Sequence, residues 1–106
     1  MKFINHTFLD FGMPTKCEIL VWKACSEIPK GKVASYADIA RAIGKPKAAR
    51  AVGNALNVNP YSPRVPCHRV IKSDGSIGGF AHGTKKKITM LRKEGVEIRN
   101  GRIVYF

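Results

Sequence analysis

Apolar residues alternate with polar ones at helical spacing in three stretches of the chain. From Thr15 onward, Ile19, Val21, Trp22, Cys25 and Ile28 recur near every third or fourth position, which predicts a helix stopped by Pro29-Lys30-Gly31. Residues 32–34 read as a short extended piece leading to Ser35. Ser35 followed by Asp38 has the form of a capping box, with Asp shorter than the usual Glu or Gln. It predicts a helix over 36–43 that packs Ile39, Ala40 and Ile43 inward and ends at Gly44. Pro46 suits the first turn of a further helix over 47–57. Prolines at 60, 63 and 66 keep the next segment irregular, and Val70-Ile71-Lys72 then reads as a strand entering the turn SDGSIGG. A last helix over 84–93 carries Ile88 and Leu91 and stops at Gly95. Residues 96–106 close the chain as a hairpin about Asn100-Gly101, the favoured two-residue type I′ turn. Residues 1–14 read as an edge strand or a loose arm.

Helix, short glycine-containing turn, helix is the outline of a helix-turn-helix, whose second helix meets DNA. The expected fold is therefore mostly α with small β elements, a winged-helix-like helix-turn-helix domain occupying residues 1–106 as one unit. Small residues dominate the second helix: Ala48, Ala49, Ala51, Gly53 and Ala55. Two readings stand for them, close packing of helices in the core or close approach of backbone to nucleic acid with Arg50 as the one long cation.

Charge narrows the partner. Nineteen Lys+Arg against seven Asp+Glu leave a formal net charge of +12, which favours polyanions, nucleic acid before acidic membrane. No run approaches the ~18 apolar residues of a membrane span, and the N-terminal residues lack a secretory apolar core. Three cysteines without a close pair speak against a disulfide framework and fit a reducing cytosolic setting. Cys17 and Cys25 lie eight positions apart, which is not zinc-site spacing, so no metal is expected. Lys85, Lys86 and Lys87 read as a solvated helix face that adds to phosphate attraction.

Cys17 and Cys25 sit on the apolar stripe of the first helix and read as core. Cys67 differs, since it follows a proline-fixed loop, adjoins His68 and Arg69, and precedes a glycine-rich segment able to line a pocket. A free thiol is only a few per cent thiolate at neutral pH, and a histidine base oriented by a carboxylate supplies both a proton acceptor and a balancing charge. Glu94, near the end of the last helix, is a candidate for that carboxylate.

At this point the residues resemble a known family. Val-Pro-Cys-His-Arg-Val at 65–70 is similar to the active-site signature of the O6-alkylguanine-DNA alkyltransferases, the methylated-DNA–protein-cysteine methyltransferases. The stretch SYADIARAIGKPKAARAVGNAL, Asn59-Pro60, the eight positions from Asn59 to the cysteine, GGF, a lysine and LRKEG follow the family's order over about residues 15–95. The resemblance implies direct-reversal DNA repair, with one alkyl group passing from O6 of guanine to Cys67 and one molecule spent per lesion. It implies that His68 takes the thiol proton through a water, Glu94 orients the imidazole and Asn59 braces the loop. Tyr36 is then expected to press on the 3′ phosphate, and Arg50 to enter the base stack from the minor groove. Ala49 and Asn54 join them at the DNA, while Leu56, Val70, Phe80 and Ala81 line the pocket for a flipped guanine.

Three positions depart from the family pattern. Phe80 stands where a tyrosine hydroxyl usually bonds guanine N3, Ala81 where a serine often helps bind O6 (its backbone N–H remains), and His82 where a small residue is usual. About fourteen residues precede the first helix, so a DNA-binding and catalytic domain alone is expected, without the amino-terminal domain and zinc site of many members. The expected partner is double-stranded DNA containing O6-alkylguanine, met by a monomer in the cytoplasm at the nucleoid, or in the nucleus of a eukaryote. No cofactor and no membrane contact are expected. The alternative is a non-catalytic alkyltransferase-like lesion sensor, against which the retained cysteine speaks, since that class carries tryptophan in its place. A major-groove regulator fits less well, because only Arg50 and Asn54 on the second helix suit base readout.

Overall fold

The computed structural model of the chain describes residues 15–61, 64–80 and 82–104. The expected arm over 1–14 and the pocket residue Ala81 lie outside these residues.

Helix α1 spans Lys16–Ser26 and begins with a full capping box. The Glu18 amide donates to the Thr15 hydroxyl at 3.0 Å, and the Thr15 amide donates back to the Glu18 carboxylate at 2.9 Å. Val21, Trp22 and Cys25 face inward as expected, but Ile19 is 51% exposed. It stands two positions from Val21, roughly 200° around the helix, and so falls off the buried stripe.

Strand β1 (Ala34–Ser35) pairs in parallel with β2 (Val70–Ile71), Ala34 opposite Val70 and Ser35 opposite Ile71. Ser35 also caps helix α2 (Tyr36–Ala42), accepting from the Asp38 amide at 3.0 Å while the Asp38 carboxylate accepts from the Ser35 amide at 3.0 Å. The shorter aspartate thus closes the box. Helix α3 spans Ala49–Asn57 and starts two residues later than its expected range. Pro46 is spent in the preceding turn, where the Ala48 amide donates to the Lys45 carbonyl at 2.9 Å.

The small residues of α3 fall on two faces, one packed in the core and one open. Val52, Ala55 and Leu56 are buried against α1 and α2, while Ala49 and Gly53 line an open cleft. The Trp22 indole N–H donates to the Ala55 carbonyl at 2.8 Å, satisfying a last-turn carbonyl that has no partner within the helix. Trp22→Phe trims the buried indole to a phenyl ring and orphans that carbonyl, and is expected to lower stability by at least about 1–2 kcal/mol in urea unfolding. An unchanged midpoint would show that water reaches Ala55.

Helix α4 (Thr84–Lys93) packs on a second core with the hairpin of β3 (Ile98–Arg99) and β4 (Arg102–Ile103). Asn100 and Gly101 between them have φ of 54° and 74°, the pair of positive angles that a type I′ turn demands. The first core gathers Val21, Trp22, Cys25, Ile39, Val52 and Leu56 with Cys67 and Val70. The second gathers Ile71, Ile77, Leu91, Val96, Ile98 and Ile103. Consecutive strand residues point to opposite faces, so Val70 serves one core and Ile71 the other. Among the described residues the architecture is four helices with two small sheets, a winged-helix-like helix-turn-helix domain. None of these helices is long and apolar enough to cross a membrane.

Candidate active site

The loop into the site is braced before the cysteine arrives. Asn59 accepts from the Tyr61 amide at 2.8 Å and donates through its side chain to the Val65 carbonyl at 3.0 Å. Beyond Pro66 the chain makes one 3-10 turn over Cys67–Arg69, closed by the Arg69 amide on the Pro66 carbonyl at 2.9 Å. Cys67 is 6% exposed and lines a small cavity of about 20 Å³ with Tyr36, Gly53, Leu56, Asn57, Gly79 and Phe80.

His68 is 2% exposed, and its Nε2 lies 3.0 Å from Glu94 Oε2. A carboxylate only accepts, so Nε2 carries the proton in this network, and in a neutral imidazole Nδ1 is then an acceptor. Nδ1 is buried and has no hydrogen-bond partner among the described residues. Glu94 caps the C-terminus of α4, where the helix dipole disfavours an anion. Arg69 compensates with a two-point fork, Nε to Oε1 at 2.9 Å and Nη2 to Oε2 at 2.7 Å, while its Nη1 reaches the Ile28 carbonyl at 2.7 Å. The Arg69 bonds above all, with His68 adding to them against the effect of burial, hold the Glu94 carboxyl down at about 2. The turn carrying Gly31 packs on this helix end, where an added Cβ would stand 3.1 Å from the Glu94 carbonyl.

Lys87 overturns an expectation. Lys85 and Lys86 are exposed, but Lys87 is wholly buried, its Nζ donating to the Val70 carbonyl at 2.6 Å and the Gly79 carbonyl at 3.1 Å. It shares the inward face of α4 with Ile88 and Leu91, a register the sequence carries but which the charge of the run masks. Burial lowers its pKa to about 8. The ammonium ties the strand after the cysteine to the segment bearing Phe80.

Phe80 is half-buried, and His82 packs edge-on against it with ring centroids 5.1 Å apart. Leu56 joins Phe80 in lining the cavity, whereas Val70, also expected there, is fully buried in the first core. Outside the thiol a cleft of about 480 Å³ runs between the open face of α3 and the turn after β2. Ala49, Arg50 and Asn54 line one side, Lys72 and Ser73 the other, and Tyr36 the floor shared with the cavity. The Tyr36 hydroxyl lies 3.4 Å from where a Gly78 Cβ would stand, and Gly78 has φ of 75°.

Sequence reading thus brought together Cys67, His68 and Glu94 at one centre, with Tyr36, Arg50, Ala49 and Asn54 at the cleft beside it. It missed the forks of Arg69, the buried Lys87, and Asn57, Lys72 and Ser73. Cys17, Cys25 and Cys67 are free thiols, and burial, with Cys67 nearby, pushes the Cys25 thiol up to about 12. No group of three or more His, Cys, Asp or Glu suited to a metal occurs among the described residues.

Comparison with known proteins matches residues 16–96 to the family described as 6-O-methylguanine DNA methyltransferase, DNA binding domain. The methylated-DNA–protein-cysteine methyltransferase of Methanosarcina barkeri is 51% identical over 79 residues, 74% of this chain and 50% of that protein. The inducible one of Bacillus subtilis is 48% identical over 80 residues, 76% of this chain and 45% of that protein. The chain therefore spans about half the length of these curated relatives. The structure of Mycobacterium tuberculosis OGT in complex with DNA superposes with a TM-score of 0.75 at 45% identity, covering 77% of this chain and 51% of that one. That of S. pombe Atl1, in complex with damaged DNA containing O6-carboxymethylguanine, gives 0.72 at 40% identity and covers 79% and 80%. Because the match runs from the start of α1 to just beyond Glu94 and takes in the whole thiol centre, the chain belongs to the 6-O-methylguanine DNA methyltransferase family, through its DNA-binding domain.

Proposed function

We propose that this chain repairs DNA by direct reversal, drawing the alkyl group of an O6-alkylguanine onto Cys67. The observation that carries this reading is a cavity-lining Cys67 followed in the same 3-10 turn by a buried His68, whose Nδ1 has no partner among the described residues and whose Nε2 is anchored on Glu94. In this reading His68 accepts the Cys67 proton at Nδ1 through a water. The sulfur attacks the alkyl carbon in line with the C–O6 bond. As S–C forms, C–O6 breaks, its electron pair passes to guanine, and the base recovers a proton on its ring. The product thioether has no acyl or imine centre for water to attack, so the thiol is spent once. No cofactor enters these steps.

The partner in this reading is double-stranded DNA, bound by a monomer in the cytoplasm at the nucleoid or in a nucleus. Arg50 takes the place vacated in the stack, and Tyr36 turns the nucleotide toward Cys67. Ala49 and Asn54 allow the minor groove to come close, and Leu56 and Phe80 wall the base. Asn59 keeps the cysteine turn in place. The names of the Methanosarcina and Bacillus relatives support the transfer.

The test is intact-protein mass spectrometry after incubation with a duplex holding one O6-methylguanine. The expected result is one methyl group gained per molecule, and none in Cys67→Ala. A second reading, a lesion sensor, draws on the missing hydroxyl at Phe80 and the similarity to Atl1. Tight binding of the same duplex without mass gain, equal in wild type and Cys67→Ala, would establish it instead.

A further inference from the structure

Helix α4 carries four exposed cations and no acidic residue between Thr84 and Lys93. Its inward face is set by Lys87 and Leu91, both buried. At about 100° per residue, Lys85, Lys86, Thr89, Arg92 and Lys93 fall within an arc of about 120° on the opposite face. The stripe runs about 12 Å along the helix. Lys85 and Arg92 form one flank, Lys86 and Lys93 the other, and Thr89 lies between them. Lys85, Lys86 and Lys93 make no ion pair among the described residues. Acids that could answer them are committed elsewhere: Asp38 to Arg41, Asp74 to Arg102, Glu97 to Arg99, and Glu94 to Arg69 and His68. Arg92 gives one donor to the Ile98 carbonyl at 3.1 Å. A helix face that serves only solvation ordinarily alternates its charges. This one concentrates a single sign.

The stripe also faces away from the α3 cleft. None of the described residues of α4 lines that cleft, and Lys87 on the inward face donates to the carbonyl of Gly79, which does line it. Helix α4 thus backs the cleft wall and turns its cations to the far side. We propose that this outer face is a second duplex-binding surface, which holds the backbone of another DNA segment while the cleft holds the first. The inference rests on the DNA-binding part of the reading above. Four cations on one helix face meet phosphates of any sequence, and each contact releases condensed counterions. An anionic membrane would require apolar side chains among the cations. The arc offers only Thr89, whose hydroxyl is turned back onto the Lys85 carbonyl at 3.0 Å. A protein with two such surfaces passes from one segment to the next through a bridged state, without release into bulk water.

The experiment is stopped-flow dissociation from a fluorescent undamaged duplex, chased with rising concentrations of unlabelled duplex at about 50 mM salt. In wild type the observed rate is expected to climb with competitor concentration, because the second duplex docks on α4 before the first departs. Replacing three lysines together (Lys85→Gln, Lys86→Gln, Lys93→Gln) spares Arg92 and its bond to the hairpin. It should cut the competitor dependence about tenfold, while methyl transfer at saturating protein keeps the wild-type rate. The matching variant Lys85→Arg, Lys86→Arg, Lys93→Arg keeps the charge and should behave as wild type, which separates loss of charge from damage to the fold. Competitor dependence equal in wild type and the glutamine variant, or absent from both, would overturn the second surface and leave the repair reading standing. Acceleration by vesicles of anionic phospholipid but not by duplex would overturn it in favour of a membrane partner. Failure of wild type to bind any duplex would instead bring down the DNA reading, and the α4 surface with it.

Discussion

Glu94→Ala is expected to cut methyl transfer by at least a hundredfold while costing about 3 kcal/mol of stability. The kinetic loss follows from geometry. Glu94 Oε2 is the acceptor that fixes the proton on His68 Nε2, and without it the imidazole can present N–H rather than a lone pair to the thiol; general-base catalysis is worth about 10²–10⁴-fold. The thermodynamic loss follows from the Arg69 fork, whose two charge-assisted bonds lose their acceptor in a largely buried place. Glu94→Gln separates the two effects, because it keeps the volume and one acceptor but removes the charge.

The pH dependence of stability checks the same carboxylate. Its pKa falls from 4.5 to about 2 on folding, so the native state holds the charged form more tightly than the unfolded chain does. The stabilisation is complete above about pH 4.5 and disappears as pH drops through about 2, amounting to about 3 kcal/mol. Urea unfolding between pH 7 and 2 should show that decline in wild type and a flatter one in Glu94→Gln. A smaller slope remains from Asp38, held low chiefly by the Ser35 amide, and from Asp74, held low by Ser76. Identical slopes in the two proteins would mean that the Arg69 fork does not persist in solution.

Lys87→Met is expected to separate rate from stability. Keeping an ammonium charged where its pKa is about 8 rather than 10.5 costs about 3 kcal/mol at neutral pH. Methionine removes that cost and keeps the stem's volume, but orphans the buried Val70 carbonyl at about 1–3 kcal/mol, while the exposed Gly79 carbonyl turns to water. The two effects nearly cancel, and the unfolding midpoint should move little. Transfer should nevertheless fall ten- to a hundredfold, because the segment bearing Phe80 is no longer tied to the strand after the cysteine, and misplacement by about 1 Å costs up to 10². Lys87→Ala adds a cavity and should lose a further 2–3 kcal/mol. Transfer by Lys87→Met at the wild-type rate would refute the tie. In wild type the burial cost eases as pH rises from about 8 to 10.5, opposed by the buried Cys25 thiol, which resists ionising until about 12.

What could be read in the sequence was local. Ser35 with Asp38 and Asn100 with Gly101 specify their structures within four residues, and α4 has its expected bounds. The pairing of Ala34–Ser35 with Val70–Ile71 was illegible because two-residue strands have no periodicity to detect. Lys87 was misread because its charge outweighed its register with Leu91. At the thiol centre Cys67, His68 and Glu94 were legible through a family pattern of order and spacing, whereas the Arg69 fork depends on how the Gly31 turn meets the end of α4. Asn57, Lys72 and Ser73 carried no signal, since the cleft that they line exists only in the folded chain.

Val70 and Ile71 face different cores, and the thiol centre is assembled across that divide. Cys67 and the cleft belong to the helices of the first core; Glu94 and Lys87 arrive on α4 from the second. Such units can open separately, each with its own free energy. Release of α4 and its hairpin from the rest would leave the α3 side of the cleft in place while withdrawing the carboxylate from the imidazole and the support of the turn after β2. In the proposed reading, that state keeps the α3 face for a duplex but is chemically silent. Amide exchange in α4 and the hairpin should therefore report the fraction of bound molecules that are competent to react.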